Sequence, residues 1–357
     1  MSRNPRFDAA KTRSPLWLLG WWLPLAVLAQ APGAGVLFSR DNVTPRARVV
    51  IVRDPEATDA FEPRPERVHL MVQRALTNLT HQPTAASAWR SLLSTQDVVG
   101  LKVYSMLGAQ SGTHPAVVAA VVEGLLEAKI PPRQIVIWDK HRADLRRAGF
   151  FELAARYGVR VAGAAEEGYD EKTFYDRELL GHLLWDDSEF GRKGEGVGRK
   201  SYASKLVSKG LTKIVNISPL LNHHGAGVAG NLFGLAAGSV DNFFRFETDN
   251  ARLAEAVPEI YALPAIGDRV ALNIVDALIC QYEGEQRVLL HYSESLNELR
   301  FSADPVALDV LSLQELDRQR KAARMLSLTN NVELYQNAAL LELGVNDPAN
   351  IQVERLE

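Results

Sequence analysis

The sequence from residue 96 to residue 163 alternates between apolar segments of two different periods. Strand-like runs, QDVVGLKVYSML (96–107), QIVIWD (134–139) and VRVAG (159–163), are separated by two segments with helical spacing, HPAVVAAVVEGLLEAKI (114–130) and RADLRRAGFFELAARYG (142–158). This order predicts right-handed βαβ units. We therefore expect an α/β fold with a largely parallel sheet flanked by helices.

The alternation extends to both sides of this segment. ARVVIVRD (47–54) predicts an earlier strand, and a helix follows it at 64–80. Residues 164–200 interrupt the pattern with an acidic, glycine-containing excursion that we expect to carry a hairpin or a lid. The remaining predicted elements are a helix at 201–210, a strand at 212–218, a helix at 250–263, strands at 269–278, 286–292 and 298–303, a helix at 304–325, and a closing helix at 330–344.

The N-terminus has the plan of a signal peptide. Four basic residues between positions 3 and 13 precede the apolar run of residues 15–29, which is shorter than the roughly 20 residues of a spanning helix. We expect export to the periplasm or cell envelope; the alternative is an uncleaved N-terminal anchor. This divides the chain into a signal peptide or anchor (1–29), a linker (30–47) and an α/β domain of one or two lobes (48–357).

Composition excludes several classes of function. The formal net charge is -3, and the chain has no basic block interleaved with aromatic residues, so we expect no nucleic-acid partner. We expect no membrane span beyond the N-terminal segment. Cys280 is the single cysteine, which excludes an intramolecular disulfide and predicts no iron–sulfur cluster.

Polar residues near the predicted strand ends are the first candidates for a site, because open parallel sheets bind ligands beyond the carboxyl ends of their strands. Lys102 lies in an apolar strand and should reach the strand end or meet an anion or carboxylate. Asp139 ends a strand and could bind a metal, orient a histidine or cap the next helix. His114 precedes Pro115 and could contact a ligand or simply begin a helix.

The glycine-rich stretch NISPLLNHHGAGVAGNLFGLAAGSVDN (216–242) is the second candidate region. Adjacent side chains on an extended backbone point in opposite directions, so we expect one histidine, His223, to act rather than both His223 and His224. Glycines allow backbone N–H groups to approach an anion, although they also serve turns and tight packing. The expected ligand contacts here are Gly225, Gly227, Asn231 and Arg245.

Three later aspartates complete the candidates. Asp276 ends an apolar strand as Asp139 does, Asp304 precedes a proline as a helix N-cap does, and Asp309 lies in the second turn of that helix. If Asp139, Asp276 and His223 converge, their carboxylate and imidazole groups would form a divalent metal site. The same three residues are then the catalytic candidates.

Several motifs occur in a characteristic order: VGLKV, THP, IVIWD, NIS followed by NHHGAGVAGN, NIVDAL and SADPVALD. In this order they resemble the domain of unknown function 362 family of bacterial and archaeal proteins, from residue 96 to the C-terminus. The resemblance implies an α/β protein, often exported, without an assigned biochemical role; the ferredoxin-type cysteine motifs of some members are absent here. It implies retained polar positions at Lys102, His114, Asp139, His223, Asn231, Asp276, Asp304 and Asp309.

The chain departs from that family at three positions. Tyr104 stands where an asparagine is frequent, and Leu221 and Gly230 stand where lysines are frequent. A mechanism that depends on those lysines is therefore not expected in this protein.

Three functional hypotheses follow from these residues. The first is an exported enzyme whose metal or anion site acts on a small anionic or hydroxylated substrate. The second is a non-catalytic envelope protein in which the glycine-rich stretch binds a ligand that Lys102 and Arg245 neutralise. The third is a structural or partner-binding module whose polar residues only cap helices. A convergent carboxylate–histidine cluster with perturbed pKa values would favour the first hypothesis. An electropositive pocket without a general base would favour the second, and dispersed polar groups beside an exposed apolar patch would favour the third.

Overall fold

The computed structural model describes residues 46–284, 287–327 and 331–357. All of these residues belong to one compact unit. The predicted signal peptide or anchor and nearly all of the predicted linker lie outside the described residues. Within the described ranges, no helix is both long enough and apolar enough to cross a membrane.

The strands of the described residues form one large sheet and two small two-stranded sheets. In chain order they are β1 (Ala47–Arg53), β2 (Thr58–Asp59), β3 (Glu62–Pro63), β4 (Val99–Lys102), β5 (Ile135–Asp139), β6 (Arg160–Gly163), β7 (Tyr169–Asp176), β8 (Lys200–Ser204), β9 (Lys213–His223), β10 (Gly227–Val228), β11 (Val270–Gln281), β12 (Ser293–Ser302) and β13 (Ile351–Leu356).

The large sheet has the order β13-β1-β12-β11-β9-β4-β5-β6, with β10 paired to β9. The block β11-β9-β4-β5-β6 is parallel throughout, and β13 is parallel to β1. Only β12 and β10 pair antiparallel with their neighbours. The predicted α/β fold with a largely parallel sheet is confirmed.

Helices cover both faces of this sheet. They are α1 (Pro65–Thr80), α2 (Ala85–Leu92), α3 (Gly108–Ser111), α4 (Pro115–Glu127), α5 (Arg142–Arg147), α6 (Phe150–Tyr157), α7 (Asn231–Ser239), α8 (Phe244–Glu247), α9 (Asn250–Tyr261), α10 (Pro305–Ala322) and α11 (Val332–Leu340).

The core divides into two layers, one on each face of the sheet. The division arises because successive side chains of a strand point to opposite faces of the sheet. On β9, Val215 and Ile217 belong to the layer that contains α1, α2, α4, α5 and α6. Ile214 belongs to the layer that contains α7, α9, α10 and α11. The polar Asn216 and Ser218 share the side of Ile214 by the same alternation. This side carries the glycine-rich stretch.

Several predicted elements differ in the structure. The helix predicted at 142–158 is two helices, because Gly149 adopts φ 83° between them. The helix predicted at 201–210 is wrong: β8 occupies Lys200–Ser204 and pairs with β7, and one π-helical turn follows at Leu206–Gly210. That hairpin belongs to the predicted excursion.

Three further differences lie in the C-terminal half. The glycine-rich stretch, which we did not predict to be helical, forms α7. The described part of the predicted strand 286–292 contains a 3₁₀ turn at Leu290–Tyr292 instead. The helix predicted at 330–344 is present as α11, but it does not close the chain: β13 follows it and pairs with the edge of β1.

The N-terminus of α7 is held by a side chain from α10. Asp309 Oδ1 accepts the backbone N–H of Asn231 at 2.7 Å, and Oδ2 accepts that of Leu232 at 2.9 Å. These are N–H groups that a helix leaves without internal partners. A Cβ at Gly230 would lie 2.2 Å from Asp309 Oδ1, so glycine is required for this close approach.

Gly230→Ala tests this contact. The added methyl group must displace a buried carboxylate that caps α7, and we expect the free energy of unfolding to fall by about 2 kcal/mol. Urea denaturation followed by circular dichroism measures the change. Gly210→Ala is the control, because its Cβ would lie 3.4 Å from Leu206, an ordinary contact; equal losses in both variants would contradict the interpretation.

Candidate functional site

Lys102 and Asp139 form a buried ion pair at the carboxyl ends of β4 and β5. Lys102 Nζ lies 2.9 Å from Asp139 Oδ1 and donates to the Val103 carbonyl at 2.7 Å. Asp139 Oδ2 accepts both the backbone N–H and the hydroxyl of Ser105, each at 2.7 Å. Burial raises the pKa of Asp139, but the opposing effects of Lys102 and Ser105 are larger in sum and hold it below its usual value.

Helix α7 lies directly over this pair. A Cβ at Gly238 would lie 2.4 Å from Lys102 Cε, so the helix approaches the ammonium only because this residue has no side chain. Lys102 therefore meets a carboxylate, as the sequence predicts, and is buried within the protein rather than open to a ligand.

A cavity of about 320 Å³ opens beside Asp139. We call it the aromatic cleft. It lies at the carboxyl ends of β4 and β5, where open α/β sheets bind ligands. Its lining comprises Tyr104, Met106, Asp139, Lys140, His141, Asp144, Leu184, Trp185, Asp186, Phe233, Gly234, Ala237, Gly238, Phe243, Phe244 and Glu247.

The aromatic cleft has a buried floor and an exposed apolar rim. Tyr104, Phe233 and Phe243 are buried, whereas Trp185 is 79% and Phe244 51% exposed. Large exposed aromatic side chains beside a cavity are typical of a surface that contacts a ligand.

The charged residues of the cleft are mostly paired. Besides Asp139 with Lys102, Asp144 contacts Arg147, and His141 Nε2 lies 3.6 Å from Asp186 Oδ2. Burial raises the pKa of the Glu247 carboxyl, and the charge of Lys140 lowers it in part. The cleft therefore contains both signs of charge and does not favour an anion alone.

The excursion contributes Leu184, Trp185 and Asp186 to the cleft and is anchored by its neighbours. Asp187 accepts the backbone N–H groups of Asn242 and Leu184, each at 2.6 Å. Asp241 in turn accepts the N–H of Ser188 at 2.8 Å. This reciprocal bonding holds residues 184–186 at the cleft.

Arg245 also anchors the excursion by hydrogen bonds. Its guanidinium donates to the carbonyls of Leu179 and Gly198, the latter at 2.9 Å, and to the Ser201 hydroxyl at 3.1 Å. The side chain is buried, and desolvation lowers its pKa to about 10. Arg245, which was predicted to contact a ligand, therefore ties α8 to the excursion instead.

Asp276 and His114 form a second buried pair, away from the cleft. Asp276 Oδ2 accepts the backbone N–H of His114 and lies 2.8 Å from its Nδ1. Burial lowers the pKa of His114, and the charge of Asp276 opposes this, so that the net shift is upward. His114 stands at the N-cap position of α4, but its side chain does not cap the helix.

The three residues predicted to share a metal do not come together. Asp139 on β5 and Asp276 on β11 are separated by β9 and β4, so three strand spacings of about 4.8 Å place them roughly 14 Å apart. Within the described ranges, no group of three or more histidine, cysteine, aspartate or glutamate side chains could hold a metal ion. Sheet order, which the sequence does not reveal, keeps the carboxylates apart.

His223 is a packed histidine. Its Nδ1 accepts the backbone N–H of Ala226 at 3.1 Å, and its ring lies 4.0 Å from that of Phe233, centroid to centroid. Burial, with a smaller effect of His224, lowers its pKa to about 4, so it is neutral at physiological pH. It supports the cleft through Phe233 rather than lining it.

The predicted glycine contacts are also occupied by packing. A Cβ at Gly225 would lie 2.4 Å from Leu253, and Gly227 adopts φ 86° where β10 turns back on β9. The Asn231 amide donates to Asp309 at 3.1 Å. These contacts agree with the turn and packing alternative for the glycine-rich stretch.

Asp304 and Asp309 are helix caps of two kinds. Asp304 caps its own helix, α10, through Ala307 N–H at 2.8 Å, and also accepts the N–H of Val345 at 2.8 Å. Asp309 caps α7 from outside, as described above.

Most residues that line the cleft were not predicted from the sequence. Trp185 and Asp186 lie in the excursion, and Phe243, Phe244 and Glu247 follow the glycine-rich stretch. The exposed aromatic residues of an otherwise acidic excursion were the one available signal, and no periodicity connects them with Asp139.

The ion pair can be tested with two variants. Asp139→Asn leaves the Lys102 ammonium buried without a counterion, and we expect a loss of about 3 kcal/mol in the free energy of unfolding. Adding Lys102→Met should recover much of the loss, because the double variant buries no charge. Asp59→Asn, which breaks an exposed pair with Arg64, is the control and should change little. An unchanged stability in Asp139→Asn would contradict this interpretation.

Asp309 should make stability depend on pH. Burial raises its pKa to about 6, against hydrogen bonds from Leu232 and Asn231 that lower it. The unfolded chain ionises first, at about pH 3.9, so stability falls as pH rises from there to 6, by roughly 3 kcal/mol. The difference in unfolding free energy between the wild type and Asp309→Asn should fall by that amount over this window in urea titrations. Parallel pH curves would contradict the prediction.

Comparisons find little similarity between this chain and known proteins. No protein-family model and no curated protein matches the chain. Among solved structures, a Thermotoga maritima protein determined by structural genomics superposes with a TM-score of 0.40 and 10% identity. The match covers 75% of this chain and 61% of that one, and such a distant similarity carries no argument. The resemblance to the domain of unknown function 362 family remains a prediction.

Proposed function

We propose that the protein binds a small organic molecule, with an apolar face and polar groups, in the aromatic cleft. The observation that carries the proposal is the cavity of about 320 Å³ beside Asp139, at the carboxyl ends of two parallel strands. Its buried and exposed aromatic side chains offer contacts to an apolar face. Its carboxylates and cations offer contacts to hydroxyl or charged groups.

This proposal keeps the binding-protein alternative among our hypotheses but moves the site to the aromatic cleft, because Lys102 and Arg245, which were expected to neutralise the ligand, are bonded within the protein. The enzyme hypothesis depended on a shared site of Asp139, His223 and Asp276, and these residues have separate partners. We retain export as part of the proposal, so that the ligand would be met in the periplasm or cell envelope.

A larger cavity, of about 470 Å³, lies beside β1, β12 and β13, and it supports the proposal less well. Several of its charged lining residues already form pairs: Arg355 lies 3.5 Å from Glu298, and Arg318 bonds Glu315 at 2.6 Å. It also lacks the aromatic walls of the cleft.

A thermal-shift screen tests the proposal. Compounds from hydroxylated, anionic, cationic and zwitterionic classes are added to the wild type and to Ala237→Phe, whose new ring should fill the cleft. Ala116→Phe makes the same change on α4, beside a different cavity. A cleft ligand should raise the melting temperature of the wild type and of Ala116→Phe but not of Ala237→Phe. Equal stabilisation of all three proteins by every active compound would contradict the proposal.

A further inference from the structure

Two charged side chains of the aromatic cleft differ from the others. Lys140 follows β5, and Glu247 ends α8; both line the cleft. The other charged lining residues have partners: Asp139 with Lys102, Asp144 with Arg147, and Asp186 with His141. The Lys140 ammonium and the Glu247 carboxylate form no hydrogen bond and no ion pair within 4.0 Å, with each other or with other residues of the described ranges.

These two groups are partly withdrawn from water. Both are of intermediate exposure, and burial is the main influence on the Glu247 carboxyl. Their charges attract each other, since Lys140 lowers the pKa of Glu247, but the two groups are not in contact. Partial burial weakens the hydration of each without supplying a hydrogen-bond partner, so each keeps bonding capacity toward a ligand. One acid and one base that face the same cavity are complementary to a ligand that carries both charges.

Building on the proposed function, we propose that the cleft takes a small zwitterion with an aromatic or apolar side group, the class of a free α-amino acid. Glu247 accepts hydrogen bonds from the ligand ammonium, and Lys140 donates to the ligand carboxylate. The side group lies among the aromatic walls formed by Phe233, Trp185 and Phe244. A simple anion would leave Glu247 without a partner, and a simple cation would leave Lys140 without one.

The aromatic walls favour a planar or bulky side group over a small one. The buried Phe233 and Phe243 and the exposed Trp185 offer ring faces and edges at different depths of the cavity. A volume of about 320 Å³ is at the lower end of small-molecule pockets, which suits a single amino acid rather than a long peptide.

Isothermal titration calorimetry with three matched compounds tests this inference. The probes are L-phenylalanine, N-acetyl-L-phenylalanine, which lacks the ammonium, and L-phenylalaninamide, which lacks the carboxylate. The wild type should bind phenylalanine about tenfold more tightly than either derivative, as expected for the loss of one charge-assisted hydrogen bond.

Two variants assign the charges. Glu247→Gln should weaken the binding of phenylalanine and of the amide but not of the N-acetyl compound. Lys140→Met should weaken the binding of phenylalanine and of the N-acetyl compound but not of the amide. Lys193→Met, an exposed lysine that does not line the cleft, is the control and should bind all three as the wild type does.

The outcomes separate this inference from the proposed function. Equal affinities for the three compounds, lost in Ala237→Phe, would overturn the zwitterion and support a cleft that binds apolar groups. No heat of binding for any of the three at millimolar concentration would also overturn it. The thermal-shift screen with the cleft-filling variant then decides independently whether the cleft binds ligands of another class.

Discussion

The geometry of the cleft depends on the buried ion pair of Lys102 and Asp139. Their side chains are only 2% and 11% exposed, and burial of such charges is tolerated only when they face each other and their remaining bonds are made. The pair fixes the end of β4 against that of β5. Ser105, bonded to the same carboxylate, fixes the loop that brings Tyr104 and Met106 to the cleft, while Gly238 lets α7 cover the pair.

The sequence predicts the layers of this fold better than the order of its strands. Apolar periodicity places α1 and α4 within one to three residues of their observed bounds, because each helix must bury one stripe. Strand order depends on long-range pairing: β13 lies beside β1, and β12 separates β1 from β11. No local pattern records those pairings, so β13 was not predicted, although the helix expected at 330–344 is present as α11.

The same limit explains the candidate site. Asp139 and Asp276 were both predicted to end apolar strands; Asp139 ends β5, whereas Asp276 lies inside β11. Only the sheet order shows that β9 and β4 lie between them. Local rules did identify caps, since Asp304 precedes a proline and caps α10. They could not identify Asp309, because it caps a helix from another part of the chain, nor Arg245, whose partners are carbonyls of the excursion.

The residues that stabilise the cleft and those that we propose contact its ligand lie in different parts of the chain. Asp139 is part of the sheet, and both of its oxygens already accept bonds from Lys102 and Ser105. The groups with free bonding capacity, Lys140 and Glu247, lie on the loop after β5 and on α8. Arg245 ties α8, which carries Glu247, to the excursion, which carries Trp185, and neither segment supplies a hydrogen bond to the ion pair. Motifs confined to the strands therefore indicate the fold, whereas the ligand that we propose for the cleft would be selected by residues outside those motifs.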